Sequence, residues 1–201
     1  MKTFKDKVAV ITGAGSGMGR YLAILLAKDG ADVCVCDVNE ETLGETVAML
    51  RKFNVSVSSH LLDVSDKDSI EALPQKVIDQ HGKVDMVFNN AGVTAGSHFK
   101  DMKEDNWDWV MGINFNGVIN STRAFIPHLV NNSEAAIVNT SSIFGMGGCA
   151  RTVCLSCNQV CGQGVYRKSC IGNEADKSQF ANSLRPPRTH WNKYCYNSQN
   201  E

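Results

Sequence analysis

Short apolar runs and amphipathic stretches alternate along the first 146 residues, and this alternation constrains the fold more than any other feature of the chain. Lys7 to Thr12 is rich in Val and Ile and reads as a buried strand. A glycine cluster follows. Tyr21, Leu22, Leu25 and Leu26 then mark a helical stripe up to Lys28, which Gly30 stops. Ala31 to Cys36 is a second strand, and Glu40 to Phe53 a second helix with Leu43, Val47 and Leu50 on one face. Val55 to Leu62 alternates into a third strand, and Asp66 to His81 returns as a helix capped by Ser65 or Asp66. Val84 to Phe88, a long helix from Asn106 to Leu129, and Ala135 to Thr140 complete the pattern. Strands alternating with helices of this length imply a parallel sheet with helices on both faces, a doubly wound α/β fold.

Composition sets the outer bounds. The 201 residues allow one domain plus a tail. Twenty basic side chains against 21 acidic ones give a net charge of −1, which leaves no basic field for nucleic acid or an anionic membrane. No apolar run reaches the roughly 18 residues of a membrane span. The charged start from Met1 to Lys7 and the short run behind it do not form a signal segment, so a cytoplasmic location is expected. Cys34 and Cys36 fall in an apolar strand and are expected to be buried, whereas the other six of the eight cysteines lie in the last 53 residues. The chain therefore divides into a domain over 1–146 and an irregular, Cys-rich tail over 147–201.

The glycine cluster, Thr12-Gly13-Ala14-Gly15-Ser16-Gly17-Met18-Gly19, stands directly between the first strand and the first helix. Glycines there permit a tight turn and let backbone amides approach a pyrophosphate at the helix N-terminus, although a plain turn would look similar. Asp37, 18 residues beyond Gly19, ends the second strand. A carboxylate in that place accepts hydrogen bonds from a ribose 2′-OH and repels a 2′-phosphate, and the loop carries Ser16 in place of an arginine. Both features favour NAD over NADP. The rival reading of Asp37 is a helix cap before Asn39.

Further motifs at the strand ends make the pattern specific: Asp63-Val64 after the third strand, Asn89-Asn90-Ala91-Gly92 after the fourth, and Ile137-Val138-Asn139-Thr140-Ser141-Ser142 over the fifth. From about Phe4 to Met146 the chain resembles the short-chain dehydrogenase/reductase family, whose Rossmann-like fold binds NAD. The resemblance implies that Gly13, Ser16, Gly17, Met18 and Gly19 hold the cofactor phosphates, Asp37 the adenosine ribose, and Asp63 and Val64 the adenine ring. Asn90, Ala91 and Gly92 would run along the nicotinamide-side ribose, with Asn89 bracing the sheet. Asn114 would hold a proton-relay water, or else serve as a polar group at a helix kink. Ser142 would hydrogen-bond the substrate oxygen, unless the two serines merely end a strand. The implied activity is hydride transfer between a secondary alcohol or carbonyl and NAD, in a homo-oligomer and without a metal.

The family's chemistry also needs a tyrosine thirteen residues after that serine and a lysine four residues further. Those positions hold Leu155 and Gln159, and none of Tyr21, Tyr166, Tyr194 and Tyr196 is followed by a lysine at the required spacing. Read one frame over, codons permitted for Leu155–Ser156 and Gln159–Val160 can give tyrosine and lysine. Residues 150–169 and 184–194 can then read as the missing Tyr/Lys helix and Pro-Gly turn. Residues from about Gly147 to Glu201 are accordingly read as an out-of-frame tail, and the chain as truncated after about its fifth strand. A competing account has Cys149, Cys154, Cys157 and Cys161 ligating zinc, but no second C-x-x-C pair follows and His190 stands alone. Without the dyad the chain is expected to be inactive or impaired. The fifth strand is expected to lack a neighbour, and the long helix its oligomer partner.

Overall fold

The computed structural model describes residues 3–96 and 101–141, together with the strand 166–169. In chain order the elements are β1 (Val8–Thr12), α1 (Gly17–Lys28), β2 (Asp32–Asp37), α2 (Glu40–Leu50), β3 (Val57–Leu61), α3 (Lys67–His81), β4 (Met86–Asn89), α4 (Glu104–Met111), a π turn (Gly112–Asn116), α5 (Gly117–Leu129), β5 (Glu134–Asn139) and β6 (Tyr166–Ser169). The sheet order is β3-β2-β1-β4-β5-β6. β1 to β5 pair in parallel, with Val10 opposite both Cys34 and Val87. The first five strands thus form the doubly wound Rossmann-like sheet that the alternation implies.

Because a strand's side chains alternate between faces, each strand feeds two apolar layers. Val8, Val10, Val87 and Ile137 join Ile70, Leu73, Val77, Phe125 and Leu129 on the side of α3 and α5. Ala9, Ile11, Val33, Val35 and Met86 join Ala23, Leu26, Leu43 and Leu50 on the side of α1 and α2. Cys34 and Cys36 are fully buried free thiols, as their strand position implies. Asp66 caps α3, its side chain accepting from Asp68 N and Ser69 N.

Three expectations need correction. The buried face of α1 is Gly19, Ala23, Leu26 and Ala27, while Tyr21 and Leu25 are 71% and 57% exposed. Small residues let this helix approach β1 and β2 closely, and that turns its largest side chains outward. The long helix from Asn106 to Leu129 is two α-helices joined by the π turn, which displaces the second from the first's register. Finally, β5 is not left without a neighbour. β6, from the region read as an irregular tail, pairs antiparallel with it, with Tyr166 opposite Ile137 and Ser169 opposite Glu134. Antiparallel addition satisfies edge N–H and C=O groups without the crossover helix that a parallel strand requires.

Candidate cofactor-binding site

The strand order reverses between β1 and β4, so their C-terminal ends open the crevice where doubly wound sheets bind ligands. The loop from Gly13 to Gly19 crosses that opening and is held from several sides. Ala14 N donates to Cys36 O at 3.0 Å, and Gly15 N to Asp37 Oδ2 at 2.8 Å. The other oxygen of Asp37 accepts from Asn39 N at 3.0 Å. Asp37 is therefore not the cap of α2; that cap is Asn39, whose side chain accepts from Thr42 N. Below the loop, buried Thr46 hydrogen-bonds Ala14 O at 2.9 Å, and Arg20 Nε donates to Gly15 O at 2.9 Å. Neither Arg20 nor Thr46 has a signal in the sequence, because the bonds that join them to each other and to the loop form only when α1 and α2 pack together.

The glycines divide into two kinds. A Cβ on Gly19 would lie 2.1 Å from Gly13 O and 2.6 Å from Asn90 Nδ2, and one on Gly13 would lie 2.7 Å from Ala91 Cα. These two glycines let protein approach protein. Gly17, at φ +50°, has nothing within 4 Å of a Cβ and lies exposed with Ser16 and Met18 at the start of α1. Ser16 is the N-cap residue but makes no side-chain capping bond. The first amides of α1 thus lack a side-chain cap and stand at the positive end of the helix, an arrangement that suits an anion.

At the end of β4 the adjacent asparagines have separate tasks. Asn89 Nδ2 donates to Asn139 Oδ1 at 2.8 Å and to Thr122 Oγ1 at 3.3 Å, tying β4 to β5 and α5. Asn90 Nδ2 reaches the carbonyls of Thr12 and Gly13 at 3.1 and 3.2 Å, while Thr12 Oγ1 accepts from the backbone N–H groups of Asn90 and Ala91. Asn90 and Ala91 thus seat the glycine loop against β4, and Gly92 is exposed beyond them. Asp63 is exposed and accepts from both the N–H and the hydroxyl of Ser65. Val64 is buried; a Cβ on Gly117 would lie 2.9 Å from it, so that glycine allows α5 to approach.

Asn114 lies within the π turn. Its Oδ1 accepts from Val93 N and its Nδ2 donates to Val93 O, both at 2.8 Å, so the amide pairs with the backbone that follows Gly92 as a strand partner would. Ser142 and the positions of Leu155 and Gln159 lie outside the described residues, as do Cys149, Cys154, Cys157 and Cys161. Among the described residues, no group of three or more His, Cys, Asp or Glu side chains is arranged to hold a metal ion. No helix there is long and apolar enough to cross a membrane.

Beneath the Asp37 end of β2, Cys34 and Cys36 share a sheet face, opposite Ser58 and His60 of β3. The hydrogen bond from Cys36 pulls the Cys34 thiol down to about 5 against its burial, with His60 and Ser58 adding to the pull. The same contact, together with burial, pushes Cys36 up, and Cys34 raises His60. The three groups therefore titrate together, with Cys36 holding its proton more tightly than Cys34.

With this geometry in place, comparison with known proteins decides the family. The family model described as short chain dehydrogenase matches residues 7–165. The chain belongs to the short-chain dehydrogenase family. That match extends beyond Met146, where the motif resemblance ends. The chain is 37% identical over 144 residues to the 3-oxoacyl-[acyl-carrier-protein] reductase FabG of Thermotoga maritima, covering 72% of this chain and 58% of the relative. Over 151 residues it is 38% identical to the putative oxidoreductase SadH of Mycobacterium tuberculosis, covering 73% and 53%. The crystal structure of a short-chain dehydrogenase/reductase from Burkholderia phymatum in complex with NAD superposes with a TM-score of 0.77 at 38% identity, covering 80% of this chain and 57% of that one. The chain thus spans between half and three fifths of the length of these relatives.

Proposed function

We propose that residues 3–141 bind NAD, and that the activity belonging to this fold is hydride transfer between a secondary alcohol or carbonyl and that cofactor. The observation that carries the reading is the Gly13–Gly19 loop. Gly13 and Gly19 are required by protein contacts, whereas Gly17 and the uncapped start of α1 face outward beside the carboxylate of Asp37. Ser16, Gly17, Met18 and Gly19 would offer backbone N–H groups to the phosphates, and Gly13 lets the loop fold tightly onto β4. Both oxygens of Asp37 already accept one N–H each, and each keeps a lone pair for a ribose hydroxyl. This accounting favours NAD over NADP. Asp63 and Val64 would flank the adenine, and Asn90, Ala91 and Gly92 the second ribose.

When bound, the nicotinamide supplies the hydride acceptor or donor. Ser142 would hold the substrate oxygen, and Asn114, by fixing Val93, would set the backbone on the nicotinamide side. A phenol and an ammonium are needed to move the substrate proton. A tyrosine has an ordinary pKa of about 10 and must be lowered by a neighbouring cation to act near neutrality. Leu155 and Gln159 offer neither group, and a positioned acid–base is worth about 10²–10⁴-fold. The chain as written therefore binds the cofactor with little or no turnover. We read residues 147–201 as out of frame, and the assembly surface of α4 and α5 as compromised. The partners are a small alcohol or carbonyl compound, with no nucleic acid or membrane involved.

Titration of the full chain with NADH, read by fluorescence, tests the binding. Saturable enhancement abolished by excess NAD is expected, and its absence in folded protein overturns the reading. Oxidation of a panel of secondary alcohols at ordinary dehydrogenase rates would refute the predicted inactivity. Sequencing the gene across codons 140 to 201 tests the tail: an adjacent frame broken by stops removes the out-of-frame account.

A further inference from the structure

Beneath the glycine loop, outside the proposed dinucleotide contacts, stands Arg20. This arginine follows Gly19 on α1, and its side chain is only 18% exposed. Its Nε donates to Gly15 O and to Thr46 Oγ1, both at 2.9 Å. Its Nη2 donates to Gly15 O as well, to Thr42 O at 3.1 Å, and to Glu45 Oε2 at 2.7 Å. Thr46 is completely buried, and its hydroxyl lies 2.9 Å from Ala14 O. A guanidinium is thus turned under the loop, away from the face open to a ligand.

The geometry of the peptide bond gives this arrangement a consequence. In a trans peptide the C=O and the following N–H point in opposite directions. Thr46 draws Ala14 O downward, which aims Gly15 N–H at Asp37 Oδ2. Arg20 draws Gly15 O inward, which aims Ser16 N–H outward over the start of α1. A glycine at 15 could otherwise rotate freely, because a single Cβ is all that would restrict it. A Cβ there is barred by Thr42 Oγ1 at 2.6 Å and Asp37 Oδ2 at 2.8 Å. Side-chain hydrogen bonds replace the restriction that the missing Cβ would impose.

We propose that Arg20, seconded by Thr46, is a positioning residue for dinucleotide binding: it fixes the Gly15–Ser16 peptide so that Ser16 N–H faces the phosphates. The inference rests on the NAD reading given above. Glu45 accepts from the same Nη2 that donates to Gly15 O, but it is half exposed and an amide in its place keeps that acceptor.

The test compares Arg20→Met, Arg20→Lys, Thr46→Val and Glu45→Gln in the full chain. It uses NADH titration, thermal melting, and hydrogen exchange at the Gly15 and Ser16 amides without cofactor. Arg20→Met is expected to weaken NADH about tenfold, the size of one charged hydrogen bond. Thr46→Val should weaken it a few-fold. Arg20→Lys should recover part of the loss through a single bond to Gly15 O, and Glu45→Gln should stay within about twofold. Arg20→Met should also speed exchange at Gly15 and Ser16 while leaving β2 protected. Equal losses in Arg20→Met and Glu45→Gln, or losses that follow the melting temperature across all four variants, overturn the proposal. If folded wild-type protein binds no NADH, the NAD reading fails and the exchange experiment decides the positioning role alone. Unchanged loop exchange in Arg20→Met refutes it.

Discussion

The two halves of the crevice are built by different means. The half at the ends of β1 and β2 is closed by contacts among residues 12–46: Asp37 and Cys36 from one side, Arg20 and Thr46 from below. The half at the ends of β4 and β5 depends on distant partners. Asn89 reaches Asn139, Asn90 reaches Thr12 and Gly13, and Asn114 reaches Val93. Ser142, proposed to hold the substrate oxygen, lies outside the described residues, and Leu155 and Gln159 stand at the spacing where the proposed proton-transfer pair would be. The glycine loop is therefore held by residues of the first quarter of the chain together with Asn90, whereas the proposed reacting surface waits on residues far along the sequence.

Four changes probe that division, beginning with the most severe. Gly19→Ala places a methyl group 2.1 Å from Gly13 O and 2.6 Å from Asn90 Nδ2. Overpacking of this kind costs about 1–3 kcal/mol or more, and NADH affinity should fall at least about a hundredfold by fluorescence titration. Asn114→Ala removes both bonds to Val93 from the other half and should cost about 2 kcal/mol in urea unfolding. NADH affinity should change far less than with Gly19→Ala. Equal losses in the two variants would mean that the halves are not separable.

Asp37→Asn keeps one acceptor but turns an N–H toward either Gly15 N or Asn39 N. A loss of about tenfold in NADH affinity, about 1.4 kcal/mol, is expected, with NADPH losing less than NADH. The fourth change concerns pH. Cys34 has a lowered folded value, so its stabilisation is complete above the unfolded thiol's pKa and is lost as pH falls through about 5. His60 has a raised value, so its contribution is full below its unfolded pKa and is lost as pH rises through the folded one. Above the unfolded histidine's ordinary pKa of about 6.5 the two contributions oppose each other, and the rise in stability flattens. Between about pH 5 and 6.5 the unfolded chain holds one proton more, so stability rises by about 1 kcal/mol per pH unit. Urea titrations across that range should lose the slope in Cys34→Ala.

Much of this was legible in the sequence, and the parts that were not share a cause. The five parallel strands follow from runs such as Lys7–Thr12, the cap of α3 from Asp66, and the sheet brace from Asn89, because each depends on neighbours or on a local period. Arg20 and Thr46 escaped, since their partner, the carbonyl of Gly15, is defined only once α1 and α2 pack. The outward turn of Tyr21 and Leu25 escaped because a hydrophobic stripe does not reveal that small residues at 19, 23 and 27 make the closer contact. β6 escaped because antiparallel pairing with β5 depends on an edge, not on any pattern within Tyr166–Ser169.

The π turn at Gly112–Asn116 carries a further implication for how such a chain tolerates insertions and deletions. A π turn is an α-helical turn with one residue to spare. Removing one residue there would let the helix run regularly from Glu104 to Leu129, at the expense of swinging Asn114 by about 100° away from Val93. The shortened helix would be the better helix and the poorer scaffold. The irregularity is therefore best regarded as a spacer, holding one amide against one stretch of backbone.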